Sequence, residues 1–181
     1  MPRSGERGEP WFTALFAEHF GKVVRYAYRR VFDANLANDL AQEAFVIAWR
    51  RRHDVPDQEL PWLYGVTRNV IANHRRAGLA APATVAATDS DPGPRAEGFE
   101  EITAEMFDVL RAIAALPEPD QEILRLVAWE DLDLKEAAVV LGCSRSAAAV
   151  RLHRARKRLQ AVMSGPGDRT VSMAFGEVRH V

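Results

Sequence analysis

Between Arg145 and Arg158 the chain carries six cations, Arg145, Arg151, Arg154, Arg156, Lys157 and Arg158, and no acid. The whole chain has a net charge of −1, so this is a local concentration of positive charge. Its chemistry is anion binding, and a row of cations along one helix suits the phosphates of nucleic acid. A solvated basic helix is the plain alternative. A second set has the opposite sign. Asp39, Gln42 and Glu43 lie three and four residues apart, so they share a helix face. Carboxylates and an amide on one face suit Arg partners through charge-assisted bonds, although an ordinary solvated face has the same pattern.

Catalytic chemistry finds little support. The five histidines, His19, His53, His74, His153 and His180, are scattered, with no metal-binding pair at helical spacing. No Gly-rich phosphate loop follows a strand. The expectation is a binding protein with no catalytic residue, no metal and no cofactor. The single cysteine, Cys143, rules out an internal disulfide framework and favours a reducing cytosol. Cys143 reads as a small buried residue rather than a reactive thiol. Residues 1–10 are polar, with no apolar signal core, and no apolar run reaches the ~18 residues of a membrane span. A cytoplasmic protein without membrane insertion is expected.

The elements that must position these residues are all helical. Apolar residues recur at helical spacing in two zones, and no alternating strand pattern extends over a useful length. The reading is all-α: an unstructured start over 1–10, a first helical domain over 11–77, a Pro/Gly-rich linker over 78–98, a second over 99–163 and a tail over 164–181. In the first domain, Phe20, Val23, Val24, Ala27 and Val31 mark one face of a helix from His19 to Phe32. Asp33-Ala34-Asn35 caps a second helix carrying Leu36, Leu40, Ala44, Phe45, Ile47, Ala48 and Trp49. A third opens near Pro61 and stops near Gly78.

In the second domain, Phe99, Ile102, Met106, Leu110, Ile113 and Leu116 mark a long helix broken by Pro117 and Pro119. Asp120 to Trp129 forms the next. Asp133 and Glu136 read as a capping box for a short helix, Leu134 to Leu141, ended by Gly142. Ser144 caps a last helix from Arg145 to about Ala161. A short helix, a Gly-containing turn and a capped second helix form a helix-turn-helix. Steps of about 100° put Ala148, Leu152, Ala155 and Leu159 on the core face of the last helix. Ser146, Val150, His153 and Lys157 lie opposite, flanked by Ala149 and Arg154. Arg151, Arg156 and Arg158 project toward the flanks, where phosphates or acids such as Glu130 and Asp131 could receive them.

Leu132 to Ala138, Leu141 to Ser144 and Val150 to Leu159 resemble the −35-reading region of extracytoplasmic-function (ECF) sigma factors of the bacterial sigma-70 family. Asp39 to Trp49 resembles the family's core-polymerase-binding segment, and Pro61 to Arg76 its −10 recognition helix. Three motifs in the family's order cover most of the chain from about Phe12 to Leu159. The resemblance implies a sigma factor that binds core RNA polymerase, through its β′ and β subunits, and promoter DNA. It also implies restraint by an anti-sigma factor. A helix-turn-helix regulator acting without core polymerase is the alternative.

The resemblance assigns residues. Asp39, Gln42 and Glu43 would grip a basic coiled coil of β′. Arg50, Arg51, Arg52 and His53 could simply favour the negative end of a helix dipole. The resemblance instead places in Arg50 to Leu60 the loop that captures an unstacked −10 base. Arg68, Asn69, Asn73, His74, Arg75 and Arg76 would hold strands and phosphates. Trp49 and Trp62 could be stacking platforms, but their aliphatic neighbours favour a place in the core. For the −35 element the set is Ser144, Arg145, Ser146, Ala149, Val150, Arg151, His153, Arg154 and Lys157. Here the chain departs from the family, with Ala147 and Ala149 where a Thr and then a basic residue are usual, and Val150 where a small polar or basic residue is usual. Arg154 suits a guanine or a groove-lining phosphate, and Ala149 and Val150 suit thymine methyls.

The linker of roughly 22 residues reaches about 25 Å on average and about 75 Å fully stretched, enough to let two promoter sites be engaged together. Asp89, Asp91 and Glu97 within it could mimic nucleic-acid charge inside the polymerase, or simply solvate an ordinary linker.

Overall fold

The structure is a computed structural model that describes residues 7–80 and 104–164, with side chains over 7–78 and 108–164. The linker with Asp89, Asp91 and Glu97, the tail beyond Ser164, and the side chains of Phe99, Ile102 and Met106 lie outside the described residues. The chain divides into two compact units. Helices α1 (Glu9–Val31), α2 (Ala34–Arg50) and α3 (Glu59–Ala80) build the first. Helices α4 (Ala104–Ala114), α5 (Glu118–Ala128), α6 (Leu134–Leu141) and α7 (Arg145–Met163) build the second. No strand occurs among the described residues.

In the first unit α1 starts ten residues before the expected His19, inside the segment expected to be unstructured. Pro10 sits in its first turn, where the missing N–H costs nothing. The helix ends at Phe32, whose left-handed backbone (φ 55°) lets its N–H bond Tyr28 O at 2.8 Å. Asp33 then caps α2, its carboxylate accepting from Leu36 N at 2.9 Å. The buried face of α1 is Leu15, His19, Val23, Tyr26, Ala27 and Arg30, while the expected Phe20, Val24 and Val31 are only half-buried. Two polar side chains, His19 and Arg30, therefore sit where periodicity alone places none. Arg30 bonds Tyr26 O at 2.8 Å and lies 3.3 Å from the centre of the Tyr26 ring. Tyr26 in turn stacks on Tyr64 of α3, with ring centres 4.5 Å apart. Phe45 of α2 fills the other end, edge-on to Phe12, Phe16 and Phe20 at 6.2, 5.1 and 5.6 Å. Helix α3 opens at Glu59, two residues before Pro61, and runs through Gly78. A solvent-facing Gly next to good helix formers is tolerated at a modest propensity cost.

In the second unit α4 ends at Ala114, ahead of the prolines as expected; Pro117 is the N-cap of α5 and Pro119 lies in its first turn, so the same residues also open the next helix. The Asp133–Glu136 capping box is formed, with Asp133 Oδ1 accepting from Glu136 N at 2.8 Å and Glu136 Oε2 from Asp133 N at 2.9 Å. Gly142 adopts φ 61°, the left-handed conformation that frees the chain from α6. Ser144 Oγ accepts from Ala147 N at 3.2 Å and starts α7. Ala148, Leu152, Ala155 and Leu159 are all buried, as the helical spacing predicts, against a core that includes Ile113, Ile123, Leu126 and Val140.

Candidate functional site

Three exposed surfaces hold the residues singled out by the sequence. On α2, Asp39, Gln42 and Glu43 are all exposed, and Val46 one turn on is 46% exposed. Leu40, Ala41, Ala44, Phe45 and Ala48 are buried behind them. The packing of α2 thus leaves an acidic stripe with an apolar end facing outward.

Between α2 and α3 the chain makes a 3₁₀ turn over Arg52–Asp54. Arg50, Arg51 and His53 are exposed there. Arg51 Nε meets Asp54 Oδ2 at 3.4 Å, and its guanidinium lies 5.9 Å from the centre of the Trp62 ring. Arg52 bonds Trp49 O at 3.2 Å and sits over the Trp49 ring at 4.9 Å. Trp49 is 38% exposed, which corrects its expected place in the core. It lies at the end of α2, where one edge packs on Phe12 at 5.2 Å and the rest meets solvent and Arg52. Trp62 is half-buried.

On α3, Asn69, Asn73, His74, Arg75 and Arg76 are exposed and Arg68 is half-buried. Two of the cations are already engaged. Arg75 donates to Arg30 O at 2.8 Å, tying the end of α3 to the end of α1. Arg76 donates to Asn73 Oδ1 and, at 3.3 Å, to Ala72 O. These contacts fix the direction of both guanidinium groups.

On α7, Ser144, Arg145, Ser146, His153, Arg154 and Lys157 are exposed, Ala149 and Arg151 are half-buried, and Val150 is 55% exposed. Ser144 Oγ and Ser146 Oγ lie 3.0 Å apart. The side opposite the core is therefore a mixed surface, cationic at both ends and apolar at Ala149 and Val150. Arg158 corrects an expectation. Its partner is neither Glu130 nor Asp131 but Asp120 of α5, whose side chain is buried. One residue before the buried Leu159, on a helix packed against α5, Arg158 reaches across to that carboxylate. Cys143 is half-buried, and its N–H closes the turn on Ala138 O at 3.0 Å.

One group escaped the sequence reading. Arg7 donates to Arg52 O at 2.9 Å and to Val55 O, and its guanidinium lies 3.8 Å from Asp57. Trp11 Nε1 donates to Glu59 Oε1 at 2.8 Å, and His19 Nε2 lies 3.5 Å from Glu59 Oε2. Partners forty or more residues away leave no mark on periodicity, so no local signal pointed to them. Among the described residues no group of three or more His, Cys, Asp or Glu is placed to hold a metal. None of the described helices is long and apolar enough to cross a membrane.

A helix-turn-helix with an exposed, basic second helix, preceded in the chain by a three-helix unit with one acidic and one basic surface, defines a DNA-binding protein with a second binding task. Comparison with known proteins supplies the family. Residues 15–78 match the model described as sigma-70 region 2, and residues 106–159 match sigma-70, region 4. The chain is 28% identical over 159 residues to the ECF RNA polymerase sigma factor SigL of Mycobacterium tuberculosis, covering 85% of this chain and 89% of that one. It is 29% identical over 176 residues to the RNA polymerase sigma factor CarQ of Myxococcus xanthus, covering 90% and 95%. A match of 36% over 134 residues to "Probable RNA polymerase sigma factor RfaY" of Xanthomonas campestris covers 68% of this chain and 33% of that longer one. The fold is shared with the sigma factor RpoE of Bartonella quintana, solved with the anti-sigma factor NepR (TM-score 0.60, 20% identity, 86% of this chain and 98% of that one). It is also shared with CnrH, solved with the cytosolic domain of CnrY (TM-score 0.61, 23% identity, 91% and 94%). The chain belongs to the sigma-70 family of RNA polymerase sigma factors and, within it, to the ECF group. The match to region 2 leaves the reading of a free-standing helix-turn-helix regulator without support.

Proposed function

We propose that this sigma factor divides its work among the three surfaces. The stripe of Asp39, Gln42, Glu43 and Val46 on α2 docks a basic, partly apolar segment of core RNA polymerase. The exposed cations and amides from Arg50 to His53 and from Arg68 to Arg76 hold the −10 strands, with the α2–α3 loop taking the unstacked base. Helix α7 enters the major groove at −35, where Arg145, Arg154 and Lys157 meet phosphates or guanine and Ala149 and Val150 meet thymine methyls. The factor acts by binding, in the cytoplasm, with no cofactor of its own. An anti-sigma factor restrains it by covering the acidic stripe or the basic helix. The solved relatives RpoE and CnrH, each bound to a second protein, support that last reading.

The observation that carries the polymerase assignment is the exposure of Asp39, Gln42, Glu43 and Val46 on one face of a helix whose other face is buried. Charge complementarity then gives the partner: two carboxylates and an amide within one turn suit Arg-rich helices. Reversing Asp39 and Glu43 to Lys should abolish core-polymerase pull-down while leaving far-UV circular dichroism and the thermal midpoint of the free factor unchanged. Unchanged pull-down would refute the assignment. Loss of a co-purifying native partner in the same variant would place an anti-sigma factor on the same stripe.

A further inference from the structure

We infer that Arg7 is a positioning residue for −10 recognition, acting with Trp11 and Glu59 to set the α2–α3 loop. The inference rests on the reading of that loop as the base-capturing element. The loop runs from Arg51 to Gln58 and contains only one three-residue 3₁₀ turn. Its own internal bonds are few: Asp54 N to Arg51 O at 2.8 Å, and the exposed Arg51–Asp54 pair. A loop of this kind samples many conformations unless something outside it fixes its carbonyls.

Arg7 does so from below. One guanidinium nitrogen, Nη1, donates to both Arg52 O and Val55 O, the carbonyls on either side of the turn. The other, Nη2, faces the Asp57 carboxylate at 3.8 Å. The planar fork thus spans the loop from Arg52 to Asp57, a task a single point charge performs less well. Val55 is buried at 3% exposure, so its carbonyl bond anchors the one buried residue of the loop. The Arg7 guanidinium also lies 5.3 Å from the centre of the Trp11 ring, which orients it. Trp11 passes the constraint on through its 2.8 Å bond to Glu59, the first residue of α3, and Glu59 also faces His19. The loop and the start of α3 are therefore referred to the first turn of α1 and the residue just ahead of it. The loop's outward side, with Arg51 and His53, stays exposed, as does Arg50 at the end of α2. Arg7 holds the loop without occupying the face that would meet DNA.

The test uses holoenzyme, formed from core polymerase and the full chain, on forked promoter DNA with abasic sites placed one at a time across the −10 element. Wild-type holoenzyme should show one position where removing the base weakens binding by roughly tenfold or more. With Arg7→Ala the intact fork should bind roughly tenfold less well, because the competent loop is less populated. The key readout is the ratio of intact to abasic affinity at that position. It should collapse toward one in Arg7→Ala and recover in part in Arg7→Lys, while Trp11→Phe gives an intermediate ratio. A variant that is merely less stable lowers the active fraction and leaves this ratio unchanged. Core-polymerase affinity and binding to an isolated −35 duplex should not change. If wild-type holoenzyme has a sensitive position and Arg7→Ala retains the full ratio, the positioning role is overturned. If wild-type holoenzyme has no sensitive position, the base-capture reading of the loop falls, and the role of Arg7 with it.

Discussion

Lys157 and Arg158 are neighbours in sequence and both carry one positive charge, yet the structure gives them different electrostatic duties. Lys157 is exposed, with its charge open to a phosphate. Arg158 is paired with the buried carboxylate of Asp120, so the pair presents almost no net charge to DNA. Each phosphate neutralised by the protein contributes about 0.9 to the slope of log K against log salt. Lys157→Ala should therefore reduce the slope by about 0.9, so that between about 50 and 200 mM salt the variant loses roughly 3.5-fold less affinity than wild type. Arg158→Ala should leave the slope unchanged. Its effect should appear as lower stability of the second unit, because Asp120 is left buried without its counter-ion. Asp120→Asn gives the converse: Arg158 is released, and the slope should steepen by up to about 0.9. The assay is fluorescence anisotropy of holoenzyme on a duplex with a −35 element and no −10 element, over a salt series. Equal slopes for the Lys157 and Arg158 variants would refute the division of labour.

Two further outcomes follow from α7 and the turn before it. Val150→Ser should change preference at one or two −35 positions by roughly 1 kcal/mol or less with the salt slope unaltered, as read on a panel of −35 variants; an unchanged panel would remove this face from base reading. Gly142→Ala should destabilise the second unit by about 1 kcal/mol, because the left-handed backbone at φ 61° strains any Cβ although no atom lies within 4 Å of it. A urea midpoint equal to wild type would show that the turn relaxes to another conformation.

Much of this molecule is written locally. The Asp133 capping box, the Gly142 turn, the Ser144 cap and the Ala148–Leu159 core face each depend on residues within a few positions of one another, and each forms as the sequence predicts. The exposed stripe of Asp39, Gln42 and Glu43 is legible for the same reason, since helical spacing alone puts them together. What periodicity cannot see is a polar side chain satisfied from afar. His19 and Arg30 are buried because Glu59, Tyr26 and the end of α3 lie against them, and Arg158 finds Asp120 thirty-eight residues away. Residues 1–10 look unstructured because Gly, Pro and charge dominate them, yet among those described Pro10 suits a first turn and Arg7 has carbonyls to bind. Trp49 misled in the opposite sense, because aliphatic neighbours on a helix do not tell which side of its last turn meets solvent.

The two kinds of residue carry different parts of the function. The groups that would touch polymerase or DNA are exposed and specified by local spacing, so changing one alters an interface and little else. The groups that aim them, Arg7 beneath the loop and Asp120 behind α7, are specified by contacts across 38 to 48 residues of chain. A substitution among these leaves every contacting side chain in place and changes where it points. For a factor that must open DNA at one site and read it at another, this separates affinity from selectivity. Loss of a phosphate-holding cation such as Lys157 weakens binding to every promoter alike, whereas loss of the Arg7 contact blurs the choice among −10 sequences.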